Sequence, residues 1–139
     1  MNHIKIKEEL NSCMMQIRNH LKDNGIFIAI VLNDLDPRNA LCKWRLEYGF
    51  RNVPANNNYE RETFEDEEEM IFQIFKPNDY DTIIFEAIDI FYTSETLISI
   101  LKQNMFSNIQ KIQLTTEDPN YMDTVTQVGG IILKAQNLK

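Results

Sequence analysis

DTIIFEAIDIFYTSETLISILKQNMFSNIQKIQLTT, residues 81–116, decides the reading of the fold. Its opening, 81–91, is dense in Ile and Phe, and so apolar a run predicts a strand buried on both faces. Thr93 or Ser94 then offers a hydroxyl to cap a helix carrying Leu97, Ile98, Leu101 and Met105 at helical spacing. The chain turns at Ser107-Asn108, and 111–116 alternates Ile112 and Leu114 with polar neighbours, the mark of a strand. A strand, a helix and a strand at this spacing predict a right-handed crossover between parallel strands.

On the C-terminal side, Asp118-Pro119 pairs an N-cap acid with Pro in the first turn, predicting a short helix with Tyr121, Met122, Val125 and Val128. Gly129-Gly130 ends it, and 131–135 is a last strand. On the N-terminal side, 4–23 repeats Ile6, Leu10, Cys13, Met14, Ile17 and Leu21 at three- and four-residue steps, a helix closed by Asn24-Gly25. IFIAIVLND follows as a central strand, then a turn-rich loop over 33–39. Within 40–50, Cys42, Trp44, Leu46 and Tyr48 interleave with polar neighbours, predicting a half-exposed strand paired back on the first as a hairpin.

Pro54 and three consecutive asparagines make 51–62 a mobile loop. A second helix is predicted over 63–75. Thr63 with Asp66 resembles a capping box, and Glu65, Asp66, Glu67, Glu68 and Glu69 suit the positive end of a helix dipole. Met70, Ile71, Ile74 and Phe75 would then face the sheet, and Pro77 would stop the helix. The expected architecture is a single α/β domain over 1–139. It has an N-terminal helix, a hairpin and two strand–helix–strand crossovers, giving a three-layer fold with a five-stranded mixed sheet and helices on both faces.

With 43% hydrophobic and 25% charged residues the chain has the make-up of a packed globular domain, which argues against wholesale disorder. The charged start MNHIKIKEEL is unlike a signal peptide, and no apolar run reaches spanning length, so no membrane association and a cytoplasmic location are expected. Cys13 and Cys42 do not make a disulfide framework and read as two reduced core thiols. The net charge of −7 argues against a broad nucleic-acid surface, whose affinity comes from Lys and Arg displacing counterions. It suits a basic protein partner drawn in by the field.

Among local constellations, Asp34-x-Asp36 beside Pro37 and Asn39 reads as turn chemistry rather than a divalent-metal site. Glu86 and Asp89 lie three apart on one strand, so they point to opposite faces. Trp44 and Tyr48 share a strand face and read as core packing. Gly25, Gly49, Gly129 and Gly130 fit no G-x-G-x-x-G or Walker pattern. His3 and His20 read as surface residues of the first helix. No cofactor and no metal are expected.

The element order resembles the cytidine deaminase-like superfamily, most closely over 82–114. Phe85-Glu86, Leu97-Ile98 and Asn108-Ile109 fall where toxin-type and nucleoside deaminases place similar residues, and Gly129-Gly130-Ile131-Ile132-Leu133 is similar to their last strand. The resemblance implies a zinc-activated water and a proton-shuttling Glu, for which Glu67 stands in position. It also requires His or Cys at the second helix and P-C-x-x-C at the third. Here 63–69 has neither His nor Cys, and 91–96 reads FYTSET.

On this reading the chain is a non-catalytic deaminase-like domain, a pseudoenzyme that binds a protein partner as inhibitor, immunity protein or regulatory subunit. Glu65 to Glu69 and the 51–62 loop would form the contact. The alternative is a nucleotide- or nucleic-acid-processing enzyme with a degenerate site, Glu67 and Glu86 being the candidate acids. A third reading is nucleotide binding without chemistry at the carboxyl ends of parallel strands.

Overall fold

A computed structural model describes residues 7–32, 49–55, 64–113 and 130–138. These fall into two compact units. An α/β unit holds 7–32, 93–113 and 130–138, and a β unit holds 49–55 and 64–92.

In the α/β unit, helix α1 (Lys7–His20) buries Leu10 and Met14, one turn apart on one face. Its last carbonyls are met from the far end of the sequence. The Asn137 side chain, fully buried, donates to the carbonyl oxygens of Leu21 at 3.1 Å and of Arg18 and Lys22 at 3.4 Å. Asn24 takes a left-handed φ of 61° and its N–H donates to the Asn137 carbonyl at 2.7 Å. Gly25 follows in a turn so close that a Cβ there would stand 2.8 Å from the Lys22 carbonyl oxygen. These contacts tie α1 to the end of the last strand and launch strand β1 (Ile26–Leu32).

Helix α2 (Ser94–Gln103) starts where a hydroxyl cap is expected: the Thr96 N–H donates to Thr93 Oγ1 at 3.3 Å. At its other end Asn104 bonds back to the Ile100 carbonyl at 2.9 Å and across to Asn11 of α1 at 2.7 Å. Strands β5 (Ser107–Gln113) and β6 (Gly130–Gln136) complete a sheet in the order β1-β6-β5, with β6 antiparallel to both neighbours. The helix α2 lies against β5, β6 and α1. Register puts Phe27, Ala29 and Val31 opposite Ala135, Leu133 and Ile131. Ala29 and all three β6 residues are buried, and Phe27 meets Phe106 with ring centroids 5.8 Å apart.

The β unit is a meander of β2 (Phe50–Pro54), β3 (Glu68–Lys76) and β4 (Asp79–Phe91), antiparallel throughout. Pro77-Asn78 joins β3 to β4 in a two-residue turn, with Asn78 at a φ of 62°. Pro at the first central position and an asparagine tolerant of positive φ at the second are the chemistry of such turns. Register shifts between Ile74 and Lys76 mark an irregularity beside it. The rings of Phe64 and Phe91 meet at 5.4 Å and close the far end.

Several expectations are corrected here. The five-stranded mixed sheet is replaced by two antiparallel sheets of three strands. Residues 81–116 do hold a strand, a helix and a strand, but β4 and β5 belong to different sheets and make no parallel crossover. Nor is β4 buried on both faces, since Ile83, Ile84, Phe85 and Ile88 are all exposed. The helix expected over 63–75 is strand β3. Its Ile and Phe residues favour the pleated sheet, and Pro77 opens a hairpin turn rather than ending a helix. Among the described residues the strand β1, expected to be central, lies at the end of its sheet, and β2 pairs with β3. Arg51 to Pro54, expected in a loop, lie in β2. The rest of that loop, most of the strand expected over 40–50 and the helix expected from Asp118 lie outside the described residues. No helix among the described residues is long and apolar enough to cross a membrane.

Candidate functional site

Antiparallel register carries one polar row across all three strands of the β unit. Arg51 of β2 stands opposite Gln73 of β3, which stands opposite Glu86 of β4. Directly paired residues share a sheet face, so the three side chains rise together. Arg51 Nε donates to Gln73 Oε1 at 2.7 Å, and Gln73 Nε2 donates to Glu86 Oε2 at 2.6 Å. With both ends of its amide engaged, Gln73, only 7% exposed, has one orientation. The Arg51 guanidinium also sits 5.0 Å from the centroid of the Phe75 ring, over its face. A cation and a carboxylate are thus fixed at either end of a neutral bridge. The two bonds use Nε and Oε2, so a ligand would meet the terminal nitrogens of Arg51 and Oε1 of Glu86.

The acidic run lies elsewhere. Glu67 occupies a turn with a φ of 63°, and its N–H donates to the Phe91 carbonyl at 2.8 Å. The Glu65 N–H donates to Glu68 Oε2 at 2.7 Å, so Glu65, Asp66 and Glu67 shape the entry to β3, which begins with Glu68 and Glu69. There is no helix N-terminus for these acids to complement. Glu68 is opposite Phe91 while Glu86 is opposite Gln73. At roughly 3.4 Å per strand residue, that separation along β4 sets Glu67 and Glu86 about 17 Å apart. The two candidate acids do not share a site.

His20 lies exposed on α1, its Nδ1 2.8 Å from the Gln16 carbonyl oxygen, and Cys13 is a half-buried free thiol. No cluster of three or more His, Cys, Asp or Glu able to hold a metal occurs among the described residues. His3, Asp34, Asp36, Cys42, Trp44 and Tyr48 lie outside them. In the α/β unit a shallow cavity of about 360 Å³ is lined by Ile26, Asn108, Gln110, Lys134 and Gln136. Its amides serve the fold: Asn108 Nδ2 donates to Gln136 Oε1 at 2.8 Å, and Gln136 Nε2 to the Asn24 carbonyl at 3.4 Å.

Arg51 and Gln73 escaped the sequence reading, which placed one in a loop and the other on a helix. The signal that unites them with Glu86 is cross-strand register, which no local spacing records.

No family model matches the chain, and no curated protein matches it. Solved structures do resemble it, and two of them are methyltransferases. One is a SAM-dependent methyltransferase from Methanosarcina mazei, 16% identical, with a TM-score of 0.52 over 99% of this chain and 55% of that one. The other is an S-adenosylmethionine-dependent methyltransferase from Clostridium acetobutylicum, 18% identical, with a TM-score of 0.54 and the same coverage. At such identity the likeness is one of fold, and the chain spans about half the length of the structures it matches. It corrects the deaminase resemblance, and with it the reading of a non-catalytic deaminase-like binding domain or pseudoenzyme. Both had rested on an order of elements that the sheets do not have. The fold is α/β, and its likeness to these two structures is one of fold alone.

Proposed function

We propose that this chain works in S-adenosylmethionine-dependent methyl transfer, on the side that receives the methyl acceptor. The observation that carries this reading is the 99% coverage of the chain by two methyltransferase structures, which takes in the β unit as well as the α/β unit.

The described residues do not fit the cofactor. A nucleotide is cradled by a glycine-rich turn at the carboxyl end of a parallel strand. Here Gly25 is consumed by the tight turn after α1, and Gly49, at a φ of 81°, by the entry to β2. No neighbouring strands among the described residues run parallel. The chain's own contribution is therefore read from the polar row. Arg51 and Glu86 would grip a polar acceptor carrying both a hydrogen-bond donor and an anionic or carbonyl oxygen, and Gln73 would hold the spacing between them.

The test compares tritium transfer from S-[methyl-³H]adenosylmethionine in extracts of producing cells with and without this chain. A small-molecule or macromolecular acceptor labelled only when the chain is present supports the reading, and Glu86→Gln should lower that labelling at least tenfold. Identical labelling with and without the chain overturns it.

A further inference from the structure

Arg51 and Glu86 carry opposite charges on one face of the β unit, yet they do not meet. Their strands are two apart in the sheet, so their backbones stand about 9.6 Å from each other. Gln73 fills the gap, accepting from Arg51 Nε at 2.7 Å and donating to Glu86 Oε2 at 2.6 Å. Among the described residues neither charge is in an ion pair. A neutral bridge thus keeps a cation and an anion from neutralising each other, and leaves each able to take a charged group from elsewhere.

Each end has a definite chemistry. Arg51 lies over the Phe75 ring with its Nε engaged, so its two terminal nitrogens remain as a planar fork. That fork matches a carboxylate or a phosphate. Glu86 is exposed and keeps Oε1, which only accepts when the carboxyl is ionised and so suits an ammonium.

The distance between the ends follows from the bridge. Bonds of 2.7 and 2.6 Å are joined through one amide, whose oxygen and nitrogen lie about 2.2 Å apart. Arg51 Nε and Glu86 Oε2 therefore stand no more than about 7.5 Å from each other. The amide occupies the line between them, so a ligand touching both charges runs alongside it, with its own charges set apart by a similar span. An α-amino acid, with ammonium and carboxylate about 3 Å apart, reaches one end only. About six bonds between nitrogen and carboxyl carbon extend to about 7.5 Å and reach both.

We infer that the row selects the methyl acceptor by charge separation: a small zwitterion with an ammonium at Glu86 and a carboxylate at Arg51, about six bonds apart. The inference rests on the methyl-transfer reading and names the acceptor class that this reading leaves open.

The experiment titrates the ¹⁵N-labelled full chain with 6-aminohexanoate, glycine and hexanoate, following the side-chain amide signals of Gln73. The expected result is a saturable shift with 6-aminohexanoate and at least tenfold weaker binding of glycine and of hexanoate. Glu86→Gln, at an exposed position, should weaken 6-aminohexanoate at least tenfold with the far-UV circular dichroism unchanged. No shift, glycine or hexanoate binding as tightly, or unchanged affinity in Glu86→Gln overturns the inference. So does a chain-dependent labelled acceptor that is recovered with protein or nucleic acid in the extract assay. Any of these, with labelling still dependent on the chain, leaves the methyl-transfer reading standing. Labelling that never depends on the chain removes both.

Discussion

Gln73 donates to Glu86 across the β3–β4 pair at 2.6 Å while its own oxygen accepts from Arg51, so one buried amide sets the distance between two opposite charges. Removing the amide and removing the charge should have different effects. Gln73→Leu keeps the volume but loses both bonds, and chemical denaturation should show a loss of about 1–2 kcal/mol. Glu86 is exposed, so Glu86→Gln should change stability by less than about 0.5 kcal/mol while methyl transfer drops.

A second expectation concerns the end of α1. Asn137 is fully buried and serves three carbonyl oxygens of the 18–22 segment. Asn137→Ala leaves those oxygens without their buried donor, which costs about 1–3 kcal/mol. Hydrogen exchange should locate the loss at 18–25, with the β unit unaffected.

The turn at Gly25 should tolerate no side chain. A Cβ would press to 2.8 Å against the backbone oxygen of Lys22, an atom that cannot swing away. Gly25→Ala is expected to lower the urea midpoint by the equivalent of about 1–2 kcal/mol.

At the β3–β4 hairpin the expectation is a ranking. Asn78 holds a φ of 62°, where a β-branched side chain is strained by about 1–2 kcal/mol and glycine is at ease. Thermal melts should place Asn78→Gly near the parent and Asn78→Val clearly below it.

What the sequence disclosed, it disclosed through local chemistry. The helix α2 was legible because Leu97, Ile98 and Leu101 fall at helical spacing behind a Thr93 cap. The strand β1 was legible because an unbroken apolar run follows Asn24-Gly25. The segment from Glu68 to Lys76 misled because acids ahead of apolar residues also describe a helix entry, and no spacing in Met-Ile-Phe-Gln-Ile-Phe separates the two periods. Partnership between strands was hidden altogether. β4 and β5 flank one helix yet join different sheets, and Arg51, Gln73 and Glu86 meet only through register. The site depended on that non-local information, so the sequence reading found Glu86 alone.

The placement of β6 has a consequence for how the polypeptide matures. It is the last described strand to be synthesised, yet it lies between β1 and β5, which share no backbone bonds with each other. Until residues 130–136 leave the ribosome, neither flanking strand has its partner among the described residues, and Asn137, which secures α1, arrives later still. Pairings so distant in sequence form slowly. The nascent chain therefore carries an isoleucine-rich strand without its β6 partner for most of its translation.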